Sequence, residues 1–307
     1  MKTEKHNIFA GISFSIAGFS LFAMGDAVYK VLTPSYSIWL ILFFTSISIL
    51  LMASLFSPWL GGFKKTFQSR HLKLHALRAL LVFAQIAAFL YGLRTLSLAD
   101  SYALAFASPF MAALLAIPVL HEKATMRLWL SILLGFAGVL IILRPGLIPV
   151  SPAALMILLS AFLFALANIL TRFIGGEEET LLSWTLFPQM ALLIGAGFLS
   201  LPDFTLPSPF HMSLILFIAA TVMAGSILMA HAFIRAPAAI VAPFHYIQIL
   251  WGIGLGYMLF GDLPDLWTLF GAAIIITSGI WIVRHSKGAK AVISETPPAP
   301  APAQDAP

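Results

Sequence analysis

The residues of this chain best suited to chemistry lie inside apolar runs, where a polar side chain is costly unless it faces a cavity or a partner. His245, Gln248, Gly252 and Gly256 recur at intervals of three and four, so they share one face of a helix, with His245 and Gln248 near its middle. An imidazole and a carboxamide placed there can hold a bound molecule by hydrogen bonds. Two glycines on the same face equally admit a neighbouring helix, and both readings stand. Pro243, just before them, frees a backbone carbonyl for a kink or a ligand contact. Trp251 and Tyr102 are candidate stacking partners. If His245 lines a water-filled cavity, its ring titrates near neutral pH.

Five further sets of residues qualify by type. Gln85 sits near the middle of another apolar run, with Tyr91 beyond it and Arg78 before it; Gln85 is either a ligand contact or a helix-to-helix hydrogen bond, and Arg78 either serves a gate or snorkels to headgroups. Asp26 and Lys30, four residues apart, are positioned to pair with each other or to gate. Asn168, Arg172, His231 and Arg235 fall at run ends, as a gate or as simple topology signals. His71 and His75 have metal-ligand spacing but lack the acid of a zinc-protease helix and stand among Arg70, Lys73 and Arg78, so no metal is assigned. Small faces at Ser101, Ala105, Ser108, Ala112 and Ala116, and at Ser131, Gly135 and Gly138, read as helix packing.

The elements that must position these residues follow from composition. A chain of 307 residues that is 60% hydrophobic and 9% charged, with mean hydropathy +0.98, is an integral membrane protein. The absence of cysteine excludes disulfides and thiolate chemistry. Basic residues sit in short loops between apolar runs, which argues topology rather than nucleic-acid binding. Apolar runs fall at about 8–32, 37–58, 74–94, 98–120, 127–144, 152–173, 181–201, 210–233, 237–260 and 265–284. Each is near the ~20 residues that a helix needs to cross ~30 Å of hydrocarbon. The expectation is an all-α membrane protein of ten spans, with a short leading segment at 1–7 and a disordered Pro/Ala-rich tail at 288–307.

The chain also repeats itself. In the stretch 98–145 an acid at Glu122 precedes Arg144 by 22 residues; in 238–284 Asp262 precedes Arg284 by 22, with Trp129 and Trp267 between. The units become 8–146 and 152–285, five spans each. With the N-terminus cytoplasmic, fourteen Lys and Arg face the cytoplasm and three face away, so both termini are placed inside. An odd number of spans per unit inverts the second unit, and inverted halves can enclose one central cavity that opens to either side.

These features, together with LRTLSLADSYALAFASPF, GFAGVLIILRPG, APAAIVAPFHYIQILWG and the pair Asp26 and Lys30, resemble the EamA family of the drug/metabolite transporter superfamily over roughly residues 8–285. One departure is Asp262, where the family usually has Glu. The resemblance implies carriage of a small organic metabolite across a bacterial inner membrane, without cofactor or nucleic-acid partner. Its S-adenosylmethionine and riboflavin uptake branch is the most similar. The competing expectation is an integral-membrane enzyme acting on a lipid-linked substrate, which would need a converging acid, base or metal set.

Overall fold

A computed structural model of the chain describes residues 8–59, 61–108, 110–112, 114–115, 126–144, 151–174, 179–235 and 242–285. Among them there is no strand. The helices are α1 (Ile8–Leu32), α2 (Ile38–Leu55), the short α3 (Phe63–Phe67), α4 (Leu72–Thr95), α5 (Leu98–Ala105), α6 (Met126–Leu143), α7 (Pro152–Ile174), α8 (Leu181–Ser200), α9 (Pro209–Arg235), α10 (Ile247–Phe260) and α11 (Leu266–His285). Six of them, α1, α2, α4, α7, α8 and α9, are long and apolar enough to cross a membrane; shorter apolar helices lie at Leu133–Leu143, Phe244–Phe260 and Leu266–Ser278. The acid Glu122, the loop at 145–150 and the tail at 288–307 lie outside the described residues.

Polar residues at the run boundaries start the helices where the apolar pattern begins. Ser37, Ser97 and Thr180 are N-caps whose hydroxyls accept from the N–H groups of Leu40, Asp100 and Ser183. Gly261 ends α10 in the left-handed conformation, φ 71°; its N–H donates to the Tyr257 carbonyl and the N–H of Asp262 to the Gly256 carbonyl.

Two runs that read as continuous spans are interrupted. The run at 98–120 is helical to Ala105, turns at 106–107 and is helical again at Ser108, 110–112 and 114–115. The run at 237–260 enters as a 3-10 turn, Ala242–Tyr246, around Pro243 and becomes α-helical only at Ile247.

The extensive helix contacts are α1 with α9, α4 with α7, α6 with α11 and α2 with α8; α4 with α8, α2 with α9, α5 with α10, α1 with α10 and α5 with α7 are the next. Close approach at α6 and α11 depends on Gly138 and Gly271: a Cβ on Gly138 would stand 2.9 Å from the Gly271 carbonyl, and one on Gly271 would stand 2.7 Å from the Gly138 carbonyl. The main buried cluster, including Leu93, Leu98, Phe106, Ile157 and Ile275, joins these helices around a central space.

Candidate functional site

The central space is a cavity of about 1010 Å³ bounded by α1, α2, α4, α5, α7, α8, α9 and α10. Its walls are mostly apolar and aromatic, with Phe19, Phe22, Phe89, Phe106, Phe164 and Tyr246 prominent. Such a lining, with a few placed polar groups, is typical of a small-molecule site. The polar groups are Asp26, Gln85, Asn168, Gln189, His245 and Gln248, with the hydroxyls of Thr45, Ser46, Ser160 and Thr171.

Six residues singled out by sequence are therefore brought together: Asp26, Gln85, Tyr102, Asn168, His245 and Gln248. Their detailed roles differ from the expectation. Asp26 and Lys30 do not pair with each other. Tyr102 donates its hydroxyl to Asp26 Oδ2 at 2.9 Å, whereas the Lys30 ammonium meets Asp262 Oδ2 at 3.3 Å, donates to the Leu96 carbonyl and lies 4.9 Å from the Phe260 ring centre. Lys30 lies one turn beyond Asp26, towards the end of α1, where the interhelical partners stand. His245 lines the cavity half-buried, with its ring held by aromatic neighbours. Its ring stacks on Phe19 with centroids 4.5 Å apart and meets Phe106 edge-on at 5.0 Å, because the 3-10 turn carries it between α1 and α5. Gln248 follows in the first turn of α10, buried at 6% exposure and interacting with that imidazole. Gln85 reaches Ser160 only at the 3.5 Å limit of a hydrogen bond.

The other candidates lie elsewhere. Trp251 donates its indole N–H to Ser20 at 2.7 Å and joins α10 to α1 instead of lining the cavity. Tyr91 is exposed. Arg235 approaches His231 at 3.1 Å and lies over Phe14. Arg78 does not simply snorkel: its Nε donates to Thr171 at 2.8 Å, and its guanidinium lies over the Trp184 ring and reaches the Trp184 carbonyl at 3.4 Å. That carbonyl needs a donor because Pro188, four residues later inside α8, has no N–H to offer it. Gly252 packs, since a Cβ there would stand 2.8 Å from the Tyr102 ring.

Sequence reasoning missed Gln189, Thr45 and Ser46, whose side-chain oxygens Oε1, Oγ1 and Oγ are buried without a hydrogen-bond partner. Gln189 carried the same signal as Gln85, a carboxamide within an apolar run. Thr45 and Ser46 carried none, because hydroxyls in apolar helices usually bond the preceding turn, as Ser48 does to Phe44 and Ser54 to Leu50. Ser108, Ala105 and Ala112, read as packing, border the cavity instead.

The cavity reaches Tyr29 on α1 and Leu90 on α4. It runs as far as Thr171 on α7 and Met229 on α9. The opposite end of the bundle carries the ion pairs of Lys30 with Asp262 and of Arg144 with Asp265, the latter at 2.6 Å. His211 there bonds Tyr36 at 2.9 Å and ties α9 to the turn after α1.

Residues 9–144 match the EamA-like transporter family. The chain is 26% identical over 214 residues to an S-adenosylmethionine uptake transporter of Rickettsia prowazekii, covering 69% of this chain and 72% of that one. It is 28% identical over 213 residues to a riboflavin transporter of Rhizobium johnstonii, covering 69% and 70%. A transporter of Helicobacter pylori is similar over more of the length, 26% identical across 286 residues, with 91% and 96% covered. One solved crystal structure overlays 89% of this chain and 96% of its own at a TM-score of 0.58 and 13% identity, a likeness of fold alone. The matching family and these relatives carry the name of transporter.

Proposed function

We propose that the chain is a ten-span secondary carrier, built as an inverted five-plus-five repeat, that moves a small organic metabolite through the central cavity by alternating access. The metabolite has a planar aromatic body and a few polar groups, the chemistry of an adenosyl or isoalloxazine compound, in keeping with the transporters of S-adenosylmethionine and riboflavin to which the chain is similar. The observation that carries this reading is the cavity, aromatic on its walls and bordered by non-α-helical backbone at Phe106–Ala107 and in the 3-10 turn Ala242–Tyr246. Interrupted helices are the form in which irregular backbone is tolerated at membrane depth, beside a cavity.

The helix contacts support the repeat. Exchange α1 with α7, α2 with α8, α4 with α9, α5 with α10 and α6 with α11. The contact of α1 with α9 then becomes that of α7 with α4, and the pairs α2–α8, α5–α10 and α6–α11 are unchanged. The lesser contacts follow the same rule: α4–α8 becomes α9–α2, and α1–α10 becomes α7–α5. Two related halves around an axis produce such a contact set. The charge count places Lys30, Arg144 and Asp262 on the outer face and both termini in the cytoplasm of a bacterial inner membrane.

A melting screen of the purified protein against amino acids, nucleosides, S-adenosylmethionine and flavins identifies the ligand, since binding to the folded state raises the transition temperature. Labelled flux in reconstituted vesicles then tests carriage. Stabilisation and flux by the same compound are expected; product formation in place of flux would overturn the reading. For orientation, cysteines at Ser35, Ser151 and Asp203 should react with an impermeant thiol reagent from outside, and cysteines at Gln68, Thr125 and Ser286 should not.

A further inference from the structure

We infer that the cavity selects organic cations, with Asp26 as the residue that fixes the charge of the substrate. This deepens the carrier reading and rests on it. Among the described residues Asp26 is the one carboxylate on the cavity wall, and no Lys or Arg shares that wall. Among the described residues no cation pairs with it: the ion pairs are Lys30 with Asp262, His75 with Glu179 and Arg144 with Asp265. The nearest cation along its own helix, Lys30, is held away by Asp262 and the Leu96 carbonyl. Asp26 keeps a neutral partner, the Tyr102 hydroxyl, which orients the carboxylate by a single bond to Oδ2 and supplies no charge.

A carboxylate facing a largely apolar space without a counter-ion lacks a positive partner, and a positively charged substrate supplies it. The neighbouring surface favours the same choice. Phe22 and Phe89 line the cavity with Tyr102, whose ring stacks on Phe89 at 6.3 Å, and aromatic faces attract sulfonium and quaternary ammonium groups through the ring quadrupole. A neutral ligand would leave the carboxylate unmatched, and an anion would be repelled by it. The remaining polar groups are carboxamides, hydroxyls and an imidazole wedged between Phe19 and Phe106, which can orient a ligand without fixing its charge.

The test uses pairs of compounds that differ in charge and little else, titrated against the purified full-length protein: S-adenosylmethionine with S-adenosylhomocysteine, and 1-methylnicotinamide with nicotinamide, with riboflavin as a neutral reference. In the wild-type protein at least one cation should bind about tenfold or more tighter than its neutral partner, the scale of a charge-assisted contact. Asp26→Asn keeps an acceptor for Tyr102 and should erase that preference, whereas Asp26→Glu should retain it. Melting of the unliganded variants checks the fold; if Asp26→Asn does not fold, the wild-type preference and its retention in Asp26→Glu decide. The inference is overturned if no cation binds better than its neutral partner, if Asp26→Asn keeps the preference, or if it weakens both partners equally. Vesicle flux is read separately. Flux of a neutral compound without cation preference removes the charge assignment and leaves the carrier; cation preference without flux removes the carrier.

Discussion

The seam between α6 and α11 and the central cavity are built from the same small and weakly polar residue types, yet they do opposite things. At the seam Gly138 and Gly271 bring each helix backbone within van der Waals reach of the other, and Ile142 and Ile275 close the remaining space. At the cavity Thr45, Ser46 and Gln189 leave buried oxygens without a partner, and Gly25 and Ser108 border open volume. The seam gains its stability from contact, through dispersion, because lipid tails offer no hydrophobic drive between helices. The cavity has polar groups whose partner is missing, a state that costs on the order of 1–3 kcal/mol for each group cut off from water. Cost without a structural return marks the place where a ligand or water belongs.

The two regions should respond to substitution in different ways. The largest effect is expected at the seam: Gly138→Leu forces a side chain into the Gly271 carbonyl and Ile275, and overpacking of this kind costs on the order of 3 kcal/mol. Melting temperature, membrane level and flux should fall together. At the cavity, Gln248→Leu should reduce ligand affinity about tenfold to a hundredfold, the loss of one buried hydrogen bond, with the melting temperature nearly unchanged. Parallel loss of stability and affinity in that variant would make Gln248 part of the packing and blur the contrast.

A smaller effect should appear at the bundle end that carries Glu179. Burial opposes ionisation of that carboxyl, but hydrogen bonds from Ser69 and His75, aided by the nearby His71, outweigh it, so its pKa lies below the ordinary carboxylate value. A depressed native pKa contributes stability that is present above the unfolded value of about 4.3 and lost as pH falls through the native one. The wild-type melting temperature should therefore drop on acidification below that value, and Glu179→Gln should flatten that part of the profile. The smallest effect is expected for Gly254→Ala on the exposed side of α10, where a Cβ meets nothing within 4 Å. Stability there should change by less than about 0.5 kcal/mol, and flux should not change.

How much of this could be read in the sequence follows the same contrast. Helix positions were legible because apolar length and capping residues act locally: Ser37, Ser97 and Thr180 mark real starts. The turn at 106–107 was not, because it lies inside an apolar run with no local signal of its own, and tertiary packing decides where such a run breaks. His245, Gln248 and Gln85 reached the cavity as their cost in lipid implied. The partners of Lys30 and Arg78 were not legible, for one reason. Their partners, Asp262 and Leu96 in one case and Thr171 and Trp184 in the other, lie far away in sequence, and local spacing offered only a neighbour at four residues or the headgroups. Trp251 failed as a stacking partner because Ser20 on α1 satisfies its N–H away from the cavity.

That the cavity is the path of transport is tested most directly by blocking it. The chain has no cysteine, so Thr45→Cys on the cavity wall and Leu51→Cys on the exposed side of the same helix place single thiols on α2. Each variant is reconstituted, treated with a membrane-permeant thiol reagent and assayed for exchange of the ligand that raises the melting temperature most. The account predicts that modification at Thr45→Cys abolishes exchange, that excess ligand slows this modification, and that fully modified Leu51→Cys exchanges normally. Undiminished exchange by fully modified Thr45→Cys would contradict it.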